Sequence, residues 1–228
     1  MTTQAMAVMH SSTESDWRTP HACFDALDRE WHFKWDLAAD ETSSLVRLDD
    51  QPYFYGPGSI YAEDALTVDW PRGVACFLNP PFSRTRAAAY RTGRIKQGTE
   101  WVAHPIDLQQ AQAYEIESWA EKCWTESQAG TTIVALFPFA PQTEWYRRYV
   151  YGHEVPTPTN IMGDPLLAQV WSGHAAQQER RLPHRISYLR PDGSPAANAG
   201  VNTAVIVWQP NFGIVGPWQP WSCYWSYR

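Results

Sequence analysis

One nine-residue stretch constrains the fold of this 228-residue chain more than any other. Residues 74–78 are apolar and predict a buried strand, and they run without a turn into Asn79-Pro80-Pro81-Phe82. The two prolines fix φ at about −65° and remove two backbone N–H donors. The chain therefore leaves the predicted strand along one stiff, extended course, with carbonyl groups that have no ladder partner.

This strand exit suits a planar ring that carries an exocyclic amine. The carbonyls and the Asn79 side chain supply hydrogen-bond acceptors, and Phe82 supplies a flat apolar face. Hydrogen bonds from both amine N–H groups to acceptors outside the ring would localise the nitrogen lone pair. The alternative interpretation is a proline-rich strand exit beside a core phenylalanine, with no chemical role.

Strands alternate with helices along the rest of the chain. Thr19 and Pro20 predict a helix start, with a hydroxyl cap and proline at the first helical position. Strands are predicted at residues 33–40, 59–62, 131–137, 185–189 and 203–208, and helices at 84–97, 107–130, 144–151 and 164–171. This order predicts an α/β fold with a mostly parallel sheet, closed by an antiparallel C-terminal hairpin of the last two strands.

The two ends of the chain differ from this alternating region. Residues 1–15 are small and polar without a period, and they predict a flexible N-terminal arm. Residues 16–210 form the predicted domain, with a helical insertion at about 84–130 and a candidate recognition segment at 150–182. Residues 211–228 are an aromatic tail, for which packing is a more common role than base stacking.

The net charge of −6 argues against non-specific polyanion binding by the whole surface. A local basic face is still present, because five cations follow the proline pair within 14 positions: Arg84, Arg86, Arg91, Arg94 and Lys96. Such a group is typical of a phosphate-contacting surface, although a solvated helix face has the same composition.

The four cysteines are widely spaced and lack the Cys-x-x-Cys pairing of a zinc site. They predict buried free thiols in a reducing compartment. No apolar run approaches the roughly 18 residues of a membrane span, and no signal peptide is visible. We therefore expect a soluble intracellular protein without a metal.

Further motifs flank the Asn-Pro-Pro-Phe stretch. Before it come Trp17-Arg18-Thr19-Pro20, Asp36-Leu37-Ala38-Ala39, and Asp64-Ala65-Leu66 followed by Trp70; after it come segments 133–138, 185–189 and 204–208. In this order they resemble the motifs of the phage-type, Dam-like DNA N-6-adenine methyltransferases, which use S-adenosylmethionine. The Asn-Pro-Pro-Phe is the most specific of them.

The resemblance implies a Rossmann-like methyltransferase fold and methyl transfer from S-adenosylmethionine to the N6 amine of adenine in DNA. The target base would be flipped into a pocket whose catalytic residues are Asn79, Pro80, Pro81 and Phe82. In this scheme the Asn79 oxygen and the Pro80 carbonyl accept from the amine, and Phe82 stacks on the base. No general base is required before transfer, because both acceptors are neutral.

The resemblance also implies where the cofactor and the DNA bind. The expected cofactor contacts are Thr19, Pro20, Asp36, Ala38, Ala39, Asp64 and Asn79, and the expected DNA contacts are Arg84, Arg86, Arg91, Arg94 and Lys96. The partner would be double-stranded DNA, with no membrane and no metal. The enzyme would be a site-specific methyltransferase in the cytoplasm of a bacterial host cell, encoded by the host or a phage, and serving restriction-modification.

Two departures from the family pattern affect these expectations. The glycine-rich cofactor loop is absent, with residues 36–39 in its place, and residues 84–130 are longer than usual. The chemistry also leaves alternatives open: methylation of cytosine N4 or of a protein glutamine amide, or a non-catalytic aromatic-rich module that binds nucleic acid or carbohydrate. Asp36 as a helix cap and Asp64 as a solvated turn acid are the structural alternatives for those two residues.

Overall fold

The computed structural model describes residues 17–152, 176–182, 185–196 and 202–210. The predicted arm at 1–15, the predicted helix at 164–171, most of the candidate recognition segment and the aromatic tail lie outside these ranges.

A five-stranded central sheet organises the molecule. Its strands, in order across the sheet, are β1 (Trp35–Asp36), β4 (Ala75–Leu78), β7 (Thr132–Pro138), β9 (Thr203–Trp208) and β8 (Gln178–Arg181). β1, β4 and β7 pair in parallel, whereas β9 is antiparallel to both β7 and β8. β8 therefore runs in the same direction as β7, and β9 alone is reversed. This arrangement confirms the predicted α/β class and the mostly parallel sheet.

The remaining elements flank this sheet or lie beside it. The helices are α1 (His21–Trp31), α2 (Arg84–Thr92), α3 (Leu108–Ala113), α4 (Ile116–Ala129) and α5 (Glu144–Tyr149), with a 3₁₀ turn at Ala65–Thr67. Two small antiparallel pairs stand apart from the sheet: β2 (Arg47–Leu48) with β3 (Gln51–Pro52), and β5 (Arg94–Gln97) with β6 (Glu100–Ala103).

Both faces of the sheet are covered by core residues. Alternate residues of each strand point to opposite faces. Ile133, Ala135 and Phe137 pack on one side in the core that includes residues of α4 and α5. Val134 and Leu136 pack on the other side in the core that includes residues of α1. This burial on both sides explains why β4 and β7 read as continuous apolar runs rather than as alternating ones.

Residues 84–97 do not form one helix, so that prediction is wrong. Gly93 ends α2 in the left-handed conformation with φ 69°, and its N–H donates to the Ala89 carbonyl. The chain then turns into β5 and pairs with β6. The helical insertion predicted at 84–130 thus contains a β-hairpin. A glycine in the αL conformation is a common helix end, and here it stops α2 before Arg94 and Lys96.

The predicted helix at 107–130 has the expected ends but an unexpected break. The Asp107 carboxylate accepts from the Gln110 N–H at the start, and Gly130 ends the last turn with φ 117°. Between them the chain leaves the helix at Tyr114 and Glu115, where Glu115 is extended with ψ 118°. Two helices, α3 and α4, result.

The predicted strand at 203–208 is confirmed, but its predicted partner at 185–189 is wrong. Gln178–Arg181 pairs with β9 instead. Ile186 and Tyr188 are nevertheless buried in the core next to α1. Their alternation therefore reports burial correctly without reporting strand pairing, and Leu189 makes only an isolated bridge with Arg18.

Two further predictions near the N-terminal half need correction. Helix α1 begins at His21, and Pro20 is its N-cap, with extended ψ 137° and no side-chain capping bond. The strand predicted at 33–40 is only two residues long, and residues 59–62 form bends rather than a strand. The backbone of residues 53–55, predicted as loop, instead lies along β1, where Asp36 N donates to Tyr53 O and Tyr55 N donates to Asp36 O.

Candidate active site

The candidate site lies at the carboxyl edge of the parallel strands. Register pairs Asp36 with Phe77 and Leu78 with Ala135, so β1, β4 and β7 all end on the same side of the sheet. Residues 37–40, 79–82 and 139–141 follow those three strands directly. Open α/β sheets bind ligands at this edge, and the fold thus brings the Asp36 turn and the Asn-Pro-Pro-Phe segment together.

The Asn79 side chain is held by one end only. Its Nδ2 donates to the Trp17 backbone oxygen over 3.3 Å, and no described residue donates to its Oδ1. Trp17 is itself fixed, because its indole stacks on Tyr188 with centroids 5.8 Å apart. Arg18 next to it exchanges two backbone hydrogen bonds with Leu189, at 2.8 and 2.9 Å. The amide therefore presents its oxygen as the uncommitted atom.

The residues after Asn79 leave a backbone carbonyl available beside the Asn79 side chain. Pro80 is buried and Pro81 and Phe82 are partly buried. No described residue donates a hydrogen bond to the Pro80 carbonyl. Ser83 then closes the segment: its N–H donates to Tyr114 O over 3.0 Å, and its Oγ caps α2 at the Arg86 N–H. The short stretch is thus anchored at both ends.

Asp36 is buried, at 3% exposure, and its carboxylate serves the turn. It accepts hydrogen bonds from the backbone N–H groups of Ala38, at 3.4 Å, and Leu45, at 3.2 Å. Burial raises the pKa of Asp36 to about 7, although these two hydrogen bonds oppose the rise. Its side chain thus ties the end of β1 to Leu45.

Gly56 is a residue of this edge that the sequence interpretation missed. A Cβ at Gly56 would lie 1.9 Å from the Ala39 carbonyl oxygen, and φ there is +141°. The Ala39 N–H also donates to Tyr55 O over 3.0 Å. Two backbones therefore approach so closely that only glycine fits. The Gly56-Pro57-Gly58 sequence, within the segment predicted as loop, is the signal that marks it.

The other expected cofactor residues take varied positions. Thr19 is buried and Pro20 is partly buried, both just after the Trp17 carbonyl that holds Asn79. Asp64 uses both carboxylate oxygens: Oδ1 accepts from Leu66 N over 2.9 Å, and Oδ2 accepts from Gln109 Nε2 over 2.8 Å. Asp64 thereby caps the 3₁₀ turn and links it to α3.

The five cations after the proline pair do not form one equivalent surface. Arg86 donates to Tyr114 Oη over 3.0 Å and lies over that ring, and Arg91 pairs with Glu115 at 2.7 Å. By contrast, three cations are exposed, and their side chains make no hydrogen bond or ion pair with any described residue: Arg84, Arg94 and Lys96.

A buried acid near the same edge was also missed. Glu179 in β8 is fully buried and accepts from Tyr146 Oη over 2.8 Å and from Arg181 Nε over 2.8 Å. The Arg181 guanidinium in turn lies 4.6 Å from the centroid of Phe139, which follows β7. The charged sequence at 178–181 resembles a surface loop, so no pattern in the sequence marks it as a strand.

Some kinds of site find no support in the part of the chain that the structure describes. There, no group of three or more His, Cys, Asp or Glu side chains is placed to hold a metal ion. No helix in those ranges is both long enough and apolar enough to cross a membrane. Cys23, Cys76 and Cys123 are buried and free, as the sequence predicts.

The fold class and the edge position of the site are those of α/β enzymes that bind their ligands beyond the carboxyl ends of parallel strands. The family model for DNA N-6-adenine-methyltransferase (Dam) matches residues 7–212. This match spans most of the chain, and the protein belongs to that family. Searches among curated proteins and among solved structures found no match. Family membership implies DNA as substrate, adenine N6 as the methylated atom and S-adenosylmethionine as methyl donor.

Proposed function

We propose that the chain methylates the N6 amine of adenine in double-stranded DNA, with the target base flipped out of the duplex and placed against Asn79-Pro80-Pro81-Phe82. The observation that carries this proposal is the state of the Asn79 amide. Its nitrogen donates a hydrogen bond to the Trp17 carbonyl, so its oxygen is oriented, and no described residue donates to that oxygen. The Pro80 carbonyl next to it is a second uncommitted acceptor.

The two acceptors address the chemical difficulty of the reaction. An adenine N6 amine is a weak nucleophile because its lone pair is delocalised into the ring. One N–H would donate to Asn79 Oδ1 and the other to the Pro80 carbonyl, which draws the nitrogen toward tetrahedral geometry. Both acceptors are neutral, so the amine would keep both protons while its nitrogen bonds to the methyl carbon and the bond from that carbon to sulfur breaks. The sulfur would keep the electron pair of the broken bond, and one proton of the methylated amine would then leave to solvent. Holding the reacting atoms in line contributes up to about 7–11 kcal/mol in favourable cases.

Phe82 and the strand exit would hold the flipped base. Removing a base from the stack costs a few kcal/mol, and stacking on an aromatic ring returns about 1–3 kcal/mol. The anchoring of Ser83 to Tyr114 keeps the segment in place while the base enters. Catalysis then depends on position rather than on a titrating group.

The cofactor would lie beside the turn from Asp36 to Ala39. S-adenosylmethionine supplies an electrophilic methyl group on a sulfonium. The donor and acceptor set at this edge fits such a cationic, amine-bearing ligand, because it offers backbone carbonyls and partly exposed carboxylates. Asp36 would act by holding the turn, so that the backbone of Ala38 and Ala39 faces the ligand. Thr19, Pro20 and Asn79 would line the adjoining wall.

Asp64 is the candidate acceptor for the adenine amine of the cofactor. Each of its oxygens already accepts one hydrogen bond, but a carboxylate oxygen has a second lone pair that can accept another. Its link to Gln109 joins this contact to α3 of the insertion. Cofactor binding would therefore also position the segment that begins at Arg84.

Site-directed variants of Asn79 test the proposal. We expect Asn79→Ala to lower kcat for methyl transfer to DNA by roughly 10²–10³-fold, the loss typical of one oriented hydrogen-bonding group in an active site. Asn79→Asp should lower kcat less than Asn79→Ala because it keeps an acceptor, although it places an oxygen against the Trp17 carbonyl. Gln128→Ala, which removes an exposed amide from α4, is the control.

Binding measurements separate a catalytic loss from a folding loss. Asn79→Ala should retain its circular-dichroism spectrum and its DNA affinity. Near-wild-type turnover by a folded Asn79→Ala would overturn the assignment.

A further inference from the structure

The β5–β6 hairpin, residues 94–103, carries an exposed face that the catalytic proposal does not use. Lys96 lies directly opposite Trp101 in the register, and Arg94 lies opposite Ala103. Because alternate residues point to opposite sides, these four side chains share one face. Arg94, Lys96 and Ala103 are exposed, and Trp101 is 67% exposed. Ile95 and Val102 lie on the opposite face and are half-buried.

This face has the chemistry of a nucleic-acid contact. It combines an indole with two cations that have no partner among the described residues. The only acid of the two strands, Glu100, pairs with Gln97 and belongs to the other face. In a chain with a net charge of −6, this is a local cationic and aromatic surface. Cations contact phosphates, and aromatic rings stack on bases or wedge between them.

The base of the hairpin is fixed to α2. The His104 N–H donates to Gly93 O over 2.8 Å, and the Asp107 N–H donates to Tyr90 O over 3.0 Å. The Tyr90 and His104 rings meet edge-on with centroids 4.4 Å apart. A Cβ at Gly93 would lie 2.9 Å from Ile106 Cγ1, so the two ends of the hairpin close tightly. These contacts hold the base of the hairpin in a fixed position against α2.

A single helix separates the hairpin from the Asn-Pro-Pro-Phe segment along the chain. α2 begins two residues after Phe82 and contains nine residues, which at 1.5 Å per residue is about 13 Å of helix. That length corresponds to about four base pairs of duplex at 3.4 Å each. A two-stranded ribbon also fits the major groove of DNA. A duplex with its target base at Asn79 would thus extend past the hairpin.

We infer that the β5–β6 hairpin binds the duplex flanking the target adenine, with Arg94 and Lys96 on phosphates and Trp101 against the bases. This inference rests on the proposed function, since it assumes that DNA is the substrate. It assigns Trp101 a role in positioning the DNA and places four of the five cations in two pairs with different roles. Arg94 and Lys96 contact DNA, whereas Arg86 and Arg91 hold the insertion together.

Duplex binding by the full chain, measured by fluorescence anisotropy over a range of salt concentrations, tests the inference. For the double variant Arg94→Ala/Lys96→Ala we expect weaker binding and a plot of log K against log salt that is shallower by about two. For Trp101→Ala we expect binding about 10-fold weaker or more, with the salt slope unchanged, because an uncharged contact is lost. Trp101→Gln serves if Trp101→Ala does not fold.

Matched controls remove equivalent groups from other surfaces. Arg29→Ala/Lys34→Ala deletes two exposed cations near α1, and Ile60→Ala deletes an apolar side chain that is 89% exposed. Both should bind DNA like the wild type. The inference is overturned if the hairpin variants also bind like the wild type. It is equally overturned if Trp101→Ala changes only the sedimentation mass, because the face would then be a subunit contact.

The readouts keep this inference apart from the proposed reaction. If the hairpin variants weaken duplex binding but the wild type transfers no methyl group to DNA, the proposed function fails and the hairpin contact stands. If methyl transfer occurs and the hairpin variants bind and react normally, the hairpin inference alone fails.

Discussion

In the proposed reaction, the role of the Asn79 side chain depends on its surroundings. Its amide nitrogen is satisfied by the Trp17 carbonyl, and this contact spans 62 positions of sequence. The prolines on its C-terminal side have no N–H groups that would consume nearby carbonyls. The amide oxygen and the Pro80 carbonyl remain as acceptors because of both features together.

Asp36 leads to a prediction about the pH dependence of stability. Burial raises its pKa from 3.8 to about 7, so between these values the folded state binds more protons than the unfolded state. The free energy of unfolding should then fall as the pH rises from about 4 to about 7. In Asp36→Asn this contribution is absent, so the stability of the wild type relative to the variant should decrease over that interval.

Urea unfolding of both proteins at several pH values measures this difference. Asp36→Asn is expected to be less stable at low pH, because its amide cannot accept from both Ala38 and Leu45 as the carboxyl does. Asp25→Asn, an exposed acid on α1, is the control. A difference between wild type and Asp36→Asn that is constant with pH, or that grows with pH, would contradict the burial argument.

Gly56 allows two segments to pack closely, because its lack of a side chain lets residues 53–56 lie against the turn after β1. We expect Gly56→Ala to destabilise the fold by about 2–5 kcal/mol, from the clash with the Ala39 carbonyl and the strained φ together. The same change should weaken S-adenosylmethionine binding, since it displaces the proposed cofactor wall.

Gly58→Ala is the matched control for this prediction. Its φ is also positive, at +81°, but nothing lies within 4 Å of the added Cβ, so the cost should be about 1–2 kcal/mol. Chemical denaturation and calorimetric titration with S-adenosylmethionine measure the two effects. Equal destabilisation by the two substitutions would show that the close approach to Ala39 has no energetic consequence.

Among the elements, the sequence predicts the continuous apolar strands and two of the helix ends better than it predicts strand pairing. The runs at β4 and β7 and the caps at Asp107 and Gly130 are local signals, and they are where the sequence places them. The partner of β9 is a long-range property. Residues 178–181 include three charged side chains, which are unusual in a strand of the central sheet. The burial of Glu179 depends on its hydrogen bond from Tyr146, a contact that the local sequence does not indicate.

The hairpin at 94–103 shows a different reason for error. Its strands are four residues each, too short for alternation to stand out. Gly93 and Gly98, both with positive φ, are the signals that mark the end of α2 and the turn between the strands. The backbone course of the Asn-Pro-Pro-Phe motif is easier to predict than that of the hairpin, because its prolines restrict the backbone directly.

The central sheet has a structural interior and an edge that carries the candidate site. Its interior is buried between two cores, which makes the strands rigid. Its carboxyl edge carries the Asp36 turn, the Asn79 segment and, through α2, the hairpin. In the proposed function these three segments hold a methyl donor, a flipped base and the flanking duplex, in that order along the sequence. Family membership supports methylation of adenine N6 in DNA.

Methyl transfer to adenine can be measured with a labelled cofactor. The full chain would be incubated with S-adenosylmethionine labelled in its methyl group and with duplex DNA of mixed sequence, and the DNA would then be digested to nucleosides. We predict that the label is recovered as N6-methyldeoxyadenosine and that Asn79→Ala yields at least about 10²-fold less. Label recovered as N4-methyldeoxycytidine, or no label in the DNA, would contradict the account.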